Sequence, residues 1–146
     1  MPEKKKIGAH VDFSSARLLE PLPIPGPYLF ACSAFQMGTS GSGGKKVHAE
    51  LTCVEPKEFA GRKVFDDLST ENEYTLGRLM TLLIGLGENK EEILSETYEL
   101  PEEKDMIGRQ CAVWLGIRPS DVYGDRNTIR RVRPAAAYTT VKEASY

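Results

Sequence analysis

The sequence KVHAELTCV at residues 46–54 decides the fold, because it alternates apolar and polar side chains more regularly than any other part of the chain. A period of two puts the apolar side chains on one face of a strand and the polar ones on the other. The sequence therefore predicts a β-strand with one face in a core. Its apolar positions are Val47, Ala49, Leu51 and Cys53.

Further strands are predicted on both sides of this one. Residues 28–37 form a strand-like run, and six of the seven residues at 38–44 are Gly or Ser, which favours a flexible hairpin loop. A third, a fourth and a fifth strand are predicted at residues 62–65, 106–118 and 126–133. In the fifth, Ile129 and Val132 differ in parity, which indicates a β-bulge or an error in the strand boundary.

A helix is predicted between the third and fourth strands, with a broad apolar face from Tyr74 to Leu86. Thr70 and Glu73 fit a capping box at its start, and Gly85 and Gly87 are expected to stop it. The acidic residues 88–105 are compatible with a short second helix and a loop.

Five strands with one helix in this position have the element order of an OB fold. We therefore predict an all-β protein with one helix, a five-stranded OB-fold barrel at residues 28–134. The alternate prolines within residues 1–27 predict an extended arm on the surface of the domain, and residues 135–146 predict a flexible tail. Any strand edge left exposed would allow a homodimer, which nothing in the sequence specifies.

The charges are segregated along the chain. The formal net charge of -2 excludes histone-like binding by overall charge. Residues 88–105 carry eight acids and two bases, whereas residues 106–134 carry six arginines and two aspartates. The second stretch therefore leaves room for a local anionic partner.

The three cysteines form no CxxC pair and predict small core residues in a reducing compartment, not a disulfide framework or a zinc site. No window approaches the ~20 apolar residues of a membrane span. We expect a cytoplasmic protein with no membrane association. Because we find no Ser-His-Asp, HExxH or Walker A arrangement, we also expect no enzyme, no cofactor and no metal.

One ordered series of segments resembles a family of small phage proteins that is similar to phage single-stranded DNA-binding proteins with an OB fold. The segments are VDFS at 11–14, PGPY at 25–28, GRKVFD at 61–66, GLG at 85–87, IGR at 107–109, RN at 126–127 and RVRP at 131–134. The resemblance implies a protein that coats exposed strands during phage DNA replication or recombination in the host cytoplasm. It also implies partners among phage or host replication and recombination proteins. Bacterial-type single-stranded DNA-binding proteins usually end in an acidic tail that recruits partners, whereas residues 135–146 carry one Lys and one Glu, so we do not expect recruitment through such a tail.

Sequence-independent binding of single strands needs cations along the phosphates and aromatic faces on which bases stack. The last third of the chain supplies the candidates Trp114, Arg118, Tyr123, Arg126, Arg130, Arg131 and Arg133, and the first half supplies Lys45, Lys46, His48 and Arg62. Strict alternation predicts that Arg131 and Arg133 face one way and Arg126 and Arg130 the other, so that only one pair meets DNA.

Each of these features has a structural alternative. Trp114 could instead fill a gap beneath the helix or the arm, and the arginines could protect an edge strand from aggregation. The lysines could belong to a soluble hairpin tip. Two further functions stay open: the same barrel as a protein-interaction module that docks a replication or recombination protein through the acidic stretch and the arm, and a magnesium nuclease that uses Asp66 and Asp67 or the glutamate pairs at 91–92 and 102–103.

Overall fold

Five antiparallel strands form a single sheet in the order β3-β2-β1-β4-β5. The computed structural model describes residues 8–12, 14, 20–39, 41, 43–119 and 124–139. The strands are β1 (Tyr28–Thr39), β2 (Lys45–Glu55), β3 (Lys63–Ser69), β4 (Gln110–Arg118) and β5 (Arg126–Pro134). Three short helices, α1 (Glu73–Gly85), α2 (Lys90–Ile93) and α3 (Glu103–Met106), lie between β3 and β4, and a 3-10 turn at Lys57–Phe59 joins β2 to β3. The fold is thus mostly β, as predicted, and α2 and α3 lie where the sequence allowed one further short helix besides α1.

The core lies on one face of the sheet, where α1 covers it. The four apolar side chains of β2 predicted to face inward are at most 2 % exposed. All three cysteines are free and buried, which confirms their prediction as core residues. Burial raises the pKa of the Cys111 thiol to about 12, so this side chain stays uncharged at neutral pH.

Helix α1 begins two residues later than a cap at Thr70 would place it. The side chain of Asn72 is the N-cap and accepts hydrogen bonds from the backbone N–H groups of Tyr74 and Thr75. Thr70 is not free for this role, because its N–H and hydroxyl both donate to the carbonyl oxygen of Lys45 at the start of β2. The predicted capping box is therefore wrong.

The end of α1 follows the glycines as expected, but the two glycines do different things. Gly87 has φ of 105° and closes a Schellman motif, in which Gly87 N–H donates to the Ile84 carbonyl and Glu88 N–H to the Leu83 carbonyl. Gly85 is still helical and lies against β5, where an added Cβ would clash with Cγ1 of Val132. Gly85 therefore sets how closely the helix approaches the sheet.

The fourth strand starts at Gln110, not at residue 106. Met106 belongs to α3 and is fully buried there, and Gly108, with φ of 90°, turns the chain into β4. Arg109, which broke the predicted alternation, lies before the strand, and its guanidinium donates to Glu88 at 2.7 Å. The third strand is also longer than predicted, since it continues to Ser69.

The proline arm is tied to the domain by its backbone. The N–H of Leu22 donates to Oδ1 of Asn127 at 2.7 Å, and the Pro25 carbonyl accepts from Leu115 N–H at 2.6 Å. The Leu22 side chain is 1 % exposed and belongs to the core, so the arm does not lie only on the surface. Beyond β5, residues 136–139 form a helical turn that buries Tyr138.

Among the helices of the described residues, none has the length and apolar character needed to cross a membrane.

Replacing Leu22 by Ala tests whether the arm is part of the folding unit. Because the side chain is fully enclosed, we expect the free energy of unfolding to fall by about 2–4 kcal/mol. Urea denaturation measures it. Ile24→Ala is the control in the same arm, since Ile24 is 48 % exposed and its truncation should cost no more than about 0.5 kcal/mol. Equal effects of the two substitutions would show that the arm does not share the core.

Glu88 provides a pH-dependent test of the α1–β4 connection. The Arg109 guanidinium, and after it the Tyr98 hydroxyl, hold the pKa of Glu88 below its ordinary value of 4.5. The ionised form is favoured in the folded state, so this stabilisation is present above pH 4.5 and disappears as the pH falls through the lower folded value.

We therefore expect Glu88→Gln to destabilise the fold by about 1–3 kcal/mol at pH 7. The difference from the wild type should shrink below pH 4.5 when both are compared by urea unfolding across pH. A difference that stayed constant with pH would contradict this role for the carboxylate.

Candidate nucleic-acid interface

The pairing of β4 with β5 brings the chain's single tryptophan and its C-terminal arginines to one face. Trp114 lies directly opposite Arg131, and Arg118 lies opposite Arg126. Directly opposed residues of an antiparallel pair point to the same side of the sheet. Trp114 and Arg118 also share parity along β4, so all four side chains are on the outer face, away from Val113 and Leu115 in the core.

A β-bulge in β5 adds Arg130 to this face, and Arg133, opposite Ala112, shares it because Ala112 has the parity of Trp114. Trp114 pairs with Arg131 and Leu115 pairs with Ile129, which leaves Arg130 as the extra residue. The stem of Arg130 covers Gly116 of β4, where an added Cβ would lie 2.7 Å from Cδ of Arg130. The bulge was expected, but the predicted division of the arginines between two faces is wrong, because the extra residue resets the alternation. We call this set the arginine face: Trp114, Arg118, Arg126, Arg130, Arg131 and Arg133.

Trp114 does not fill the core. Its ring is half-buried on the outer side of β4, and the guanidinium carbon of Arg131 lies 5.9 Å from the ring centroid. This distance is within the range of a cation–π interaction. The indole and one guanidinium are thus already paired at the middle of the arginine face.

Much of the charge on the arginine face is not neutralised. Among the residues that the structure describes, Arg118, Arg130 and Arg131 form no ion pair with a carboxylate, and Arg133 donates to the carbonyl of Val132. Elsewhere in the chain, Arg78 pairs with Asp66 and Arg109 pairs with Glu88. Guanidiniums that are not held by carboxylates are suited to a polyanionic ligand.

A second polar cluster lies on the outer face of β2 and β3. Nδ1 of His48 is 2.7 Å from Oδ1 of Asp67, and the His48 ring stacks on Phe65 with 5.8 Å between centroids. Phe65 is 56 % exposed, which makes it an aromatic platform that sequence reasoning missed. Its signal was its parity, opposite to that of the buried Val64 in the same strand.

This histidine cluster, made of Lys46, His48, Phe65 and Asp67, carries little excess charge. Lys46 lies 3.9 Å from Asp67, and the nearby Lys63 forms a 2.9 Å ion pair with Glu50. Lys45 is exposed beside it at the start of β2. The cluster therefore offers a stacking surface with roughly balanced charges.

The other predicted site residues do not join either group. The guanidinium of Arg62 donates to the backbone carbonyl of Glu20 at 2.5 Å, so it fastens the arm to the domain. Tyr123 lies outside the described residues. The arginine face and the histidine cluster belong to different strand pairs, with β1 between β2 and β4 in the sheet.

The paired aspartates of β3 do not form a joint site. Asp66 points towards α1, where its carboxylate accepts a 2.5 Å hydrogen bond from Arg78, whereas Asp67 points to the opposite face and bonds His48. Burial raises the pKa of Asp66, and Arg78 opposes that shift. Within the described part of the chain, no three His, Cys, Asp or Glu side chains gather as metal ligands would.

These features define a β-sheet protein with a cationic, aromatic outer face. The chain matches no protein-family model and no curated protein. Its function is therefore inferred chiefly from the geometry and charge of the site.

Proposed function

We propose that this protein binds single-stranded DNA without sequence preference through the arginine face. The observation that carries the proposal is the bulge at Arg130, which assembles five arginines around the single tryptophan on one side of the sheet. Guanidiniums bind phosphates through paired hydrogen bonds, and an aromatic ring can stack with any base. Such a combination recognises the strand and not its sequence.

The dimensions of the arginine face suit an extended strand. From Arg126 to Arg133, β5 spans about 23 Å at 3.3 Å per residue. This length is enough for the arginines to follow several phosphates of a bound DNA strand. At its centre, a base meets the pair of Trp114 and Arg131. Aromatic rings and guanidinium planes both stack on bases, so this pair can hold a base without a hydrogen-bond code.

An OB-type barrel is the finer fold that we propose for the sheet. In support, β1 pairs with both β2 and β4, and the edges of β3 and β5 lie next to each other without a hydrogen-bonded ladder. Helix α1 contacts both edges, through Arg78 to Asp66 on β3 and through Gly85 to Val132 on β5.

The loops of an OB fold suggest where the bound DNA continues beyond the arginine face. The β1–β2 and β4–β5 connections of such folds flank the nucleic-acid surface. Here Lys45 and Lys46 stand at the end of the first connection, and Arg118 and Arg126 stand at the two ends of the second. In this arrangement the lysines and the His48–Phe65 stack are secondary contacts. The protein coats DNA without chemistry, and the resemblance in sequence implies strands exposed during phage replication or recombination.

Trp114 allows a direct measurement of binding, because it is the only tryptophan in the chain. We expect titration with oligo-dT at low salt to quench its emission as bases stack beside the indole. A gel-shift assay with the same oligonucleotide confirms the complex. If the emission stayed unchanged and no shifted band formed, the proposed function would be wrong.

The double substitution Arg130→Ala with Arg131→Ala tests the role of the bulge. On a single strand, each guanidinium–phosphate pair that is removed should flatten the slope of log Kobs against log salt by about 0.7, so we expect a slope shallower by about 1.4. The weaker binding should be most evident at low salt, measured by fluorescence anisotropy of labelled oligo-dT.

The matched control is Lys57→Ala with Lys90→Ala, which removes the same charge from exposed positions outside both β4 and β5. This control should keep the wild-type slope within about 0.3, well below the change that one phosphate produces. Equal slopes for the two double variants would mean that net charge, and not the arginine face, governs binding.

A further inference from the structure

An open apolar groove lies between α1 and the chain that follows α2. Its volume is about 570 Å³. Leu76 and Met80 of α1 form one wall, Leu94 and Leu100 stand on the opposite side, and the core residue Leu83 lies beneath them. Leu94 is 64 % exposed and Leu76 is 47 % exposed. No segment among the described residues covers this groove.

The apolar lining sets the groove apart from the rest of the surface. Scattered exposed leucines are normal in a soluble protein, but contiguous exposed apolar surface usually marks a contact with another molecule. The volume is also within the usual range for binding pockets. The apolar face of a docked segment would find several side chains to pack against here.

Acidic residues border one side of the groove. Glu73 lines the groove itself, and the acidic wall consists of Glu92, Glu99 and Asp105, which line the cavity next to it; none of these carboxylates has an ion-pair partner among the described residues. Across Tyr98, which lines both spaces, a second cavity of about 570 Å³ is lined by Glu88, Glu92, Glu99 and Asp105. The negative charge next to the groove is therefore local and largely uncompensated.

We infer that this groove docks a segment of a partner protein that has an apolar face and a Lys- or Arg-rich face. A helix that inserts side chains at i, i+3/i+4 and i+7 into an apolar groove is a common mode of peptide recognition. The apolar face would pack between Leu76 and Leu94, and the basic face would meet the glutamates.

Charge also argues against two other occupants. A second copy of this chain joined through the same surface would place its acidic wall against the first one, which is repulsive. An anionic membrane surface would be repelled for the same reason. The groove is built by α1 and the α2 region, whereas the arginine face is built by β4 and β5, so the two surfaces can be tested separately.

Three fluorescein-labelled helical peptides of ~18 residues, about five turns, serve as probes. The first has leucines on one face and lysines on the other. The second has the same leucines with glutamates, and the third is a scrambled Leu–Lys sequence without an apolar face. By fluorescence anisotropy, we expect only the amphipathic Leu–Lys peptide to bind in the micromolar range, with the other two at least tenfold weaker.

The double variant Leu76→Ser with Leu94→Ser removes apolar groups that are not part of the closed core. We expect it to weaken the binding of the Leu–Lys peptide at least tenfold. Val11→Ser is the apolar control, since Val11 is 58 % exposed and does not line the groove. Urea unfolding checks that each variant keeps the wild-type fold.

A charge variant keeps the inference testable if the apolar variant fails to fold. Glu73→Gln, Glu92→Gln and Glu99→Gln together should weaken the binding of the Leu–Lys peptide about threefold or more and flatten its salt dependence. Glu20→Gln, Glu55→Gln and Glu58→Gln change the charge equally outside the groove and should have no such effect.

Several results would overturn the inference. These are no saturable binding of the Leu–Lys peptide, equal binding of the Leu–Glu or the scrambled peptide, or wild-type affinity in a folded groove variant. Static light scattering adds one more: a dimer that the Leu76 and Leu94 substitutions dissociate would assign the groove to a second copy. Oligo-dT binding is measured in parallel, so that a failure here is distinguished from a failure of the proposed DNA binding.

Discussion

The burial of two β5 side chains three residues apart determines how this protein presents its charges. Ile129 and Val132 both face the core, although a regular strand would put them on opposite sides. The conflict is resolved by one extra residue, Arg130, between them. Val132 is held in place because α1 approaches it at Gly85, and Arg130 has room because Gly116 lacks a side chain. Packing inside the sheet thereby sets the direction of the arginines outside it.

Local patterns in the sequence predicted the parts of the fold that depend on local physics. The alternation in β2 identified a buried face, and the odd spacing in β5 indicated the bulge. The ends of strands and helices were harder to predict where a strand and a helix fit the same sequence pattern. The apolar residues near Met106 fit a strand as well as the short helix that the chain forms, until Gly108 turns it. The surface position predicted for the arm is wrong at Leu22, because the burial of this residue depends on Asn127, 105 residues away, which no local period reveals.

The same difference between local patterns and long-range contacts applies to the candidate site. Trp114 and the arginines could be found from composition and parity. That they share one face could be predicted only from the position of the bulge in β5 and the register of β5 against β4. Phe65 was missed because its significance depends on His48 in the neighbouring strand. Arg62 illustrates the same point, since the carbonyl that its guanidinium binds belongs to the distant arm, a partner that no local pattern reveals. Residue type predicts chemistry, whereas cross-strand and long-range partners decide whether the side chain is available for it.

The chain has a net charge near zero, but it carries two surfaces of opposite charge, the arginine face and the acidic wall, and their separation affects which ligand each surface attracts. The arginine face attracts phosphates and the acidic wall beside the apolar groove repels them, so the proposed DNA strand would be kept away from the groove. A basic partner segment is steered in the opposite sense, towards the glutamates and away from the arginines. Because the two proposed ligands would prefer different surfaces, a protein segment in the groove would not compete with DNA. The charge segregation seen in the sequence would then let one small sheet hold a nucleic acid and a protein partner at the same time.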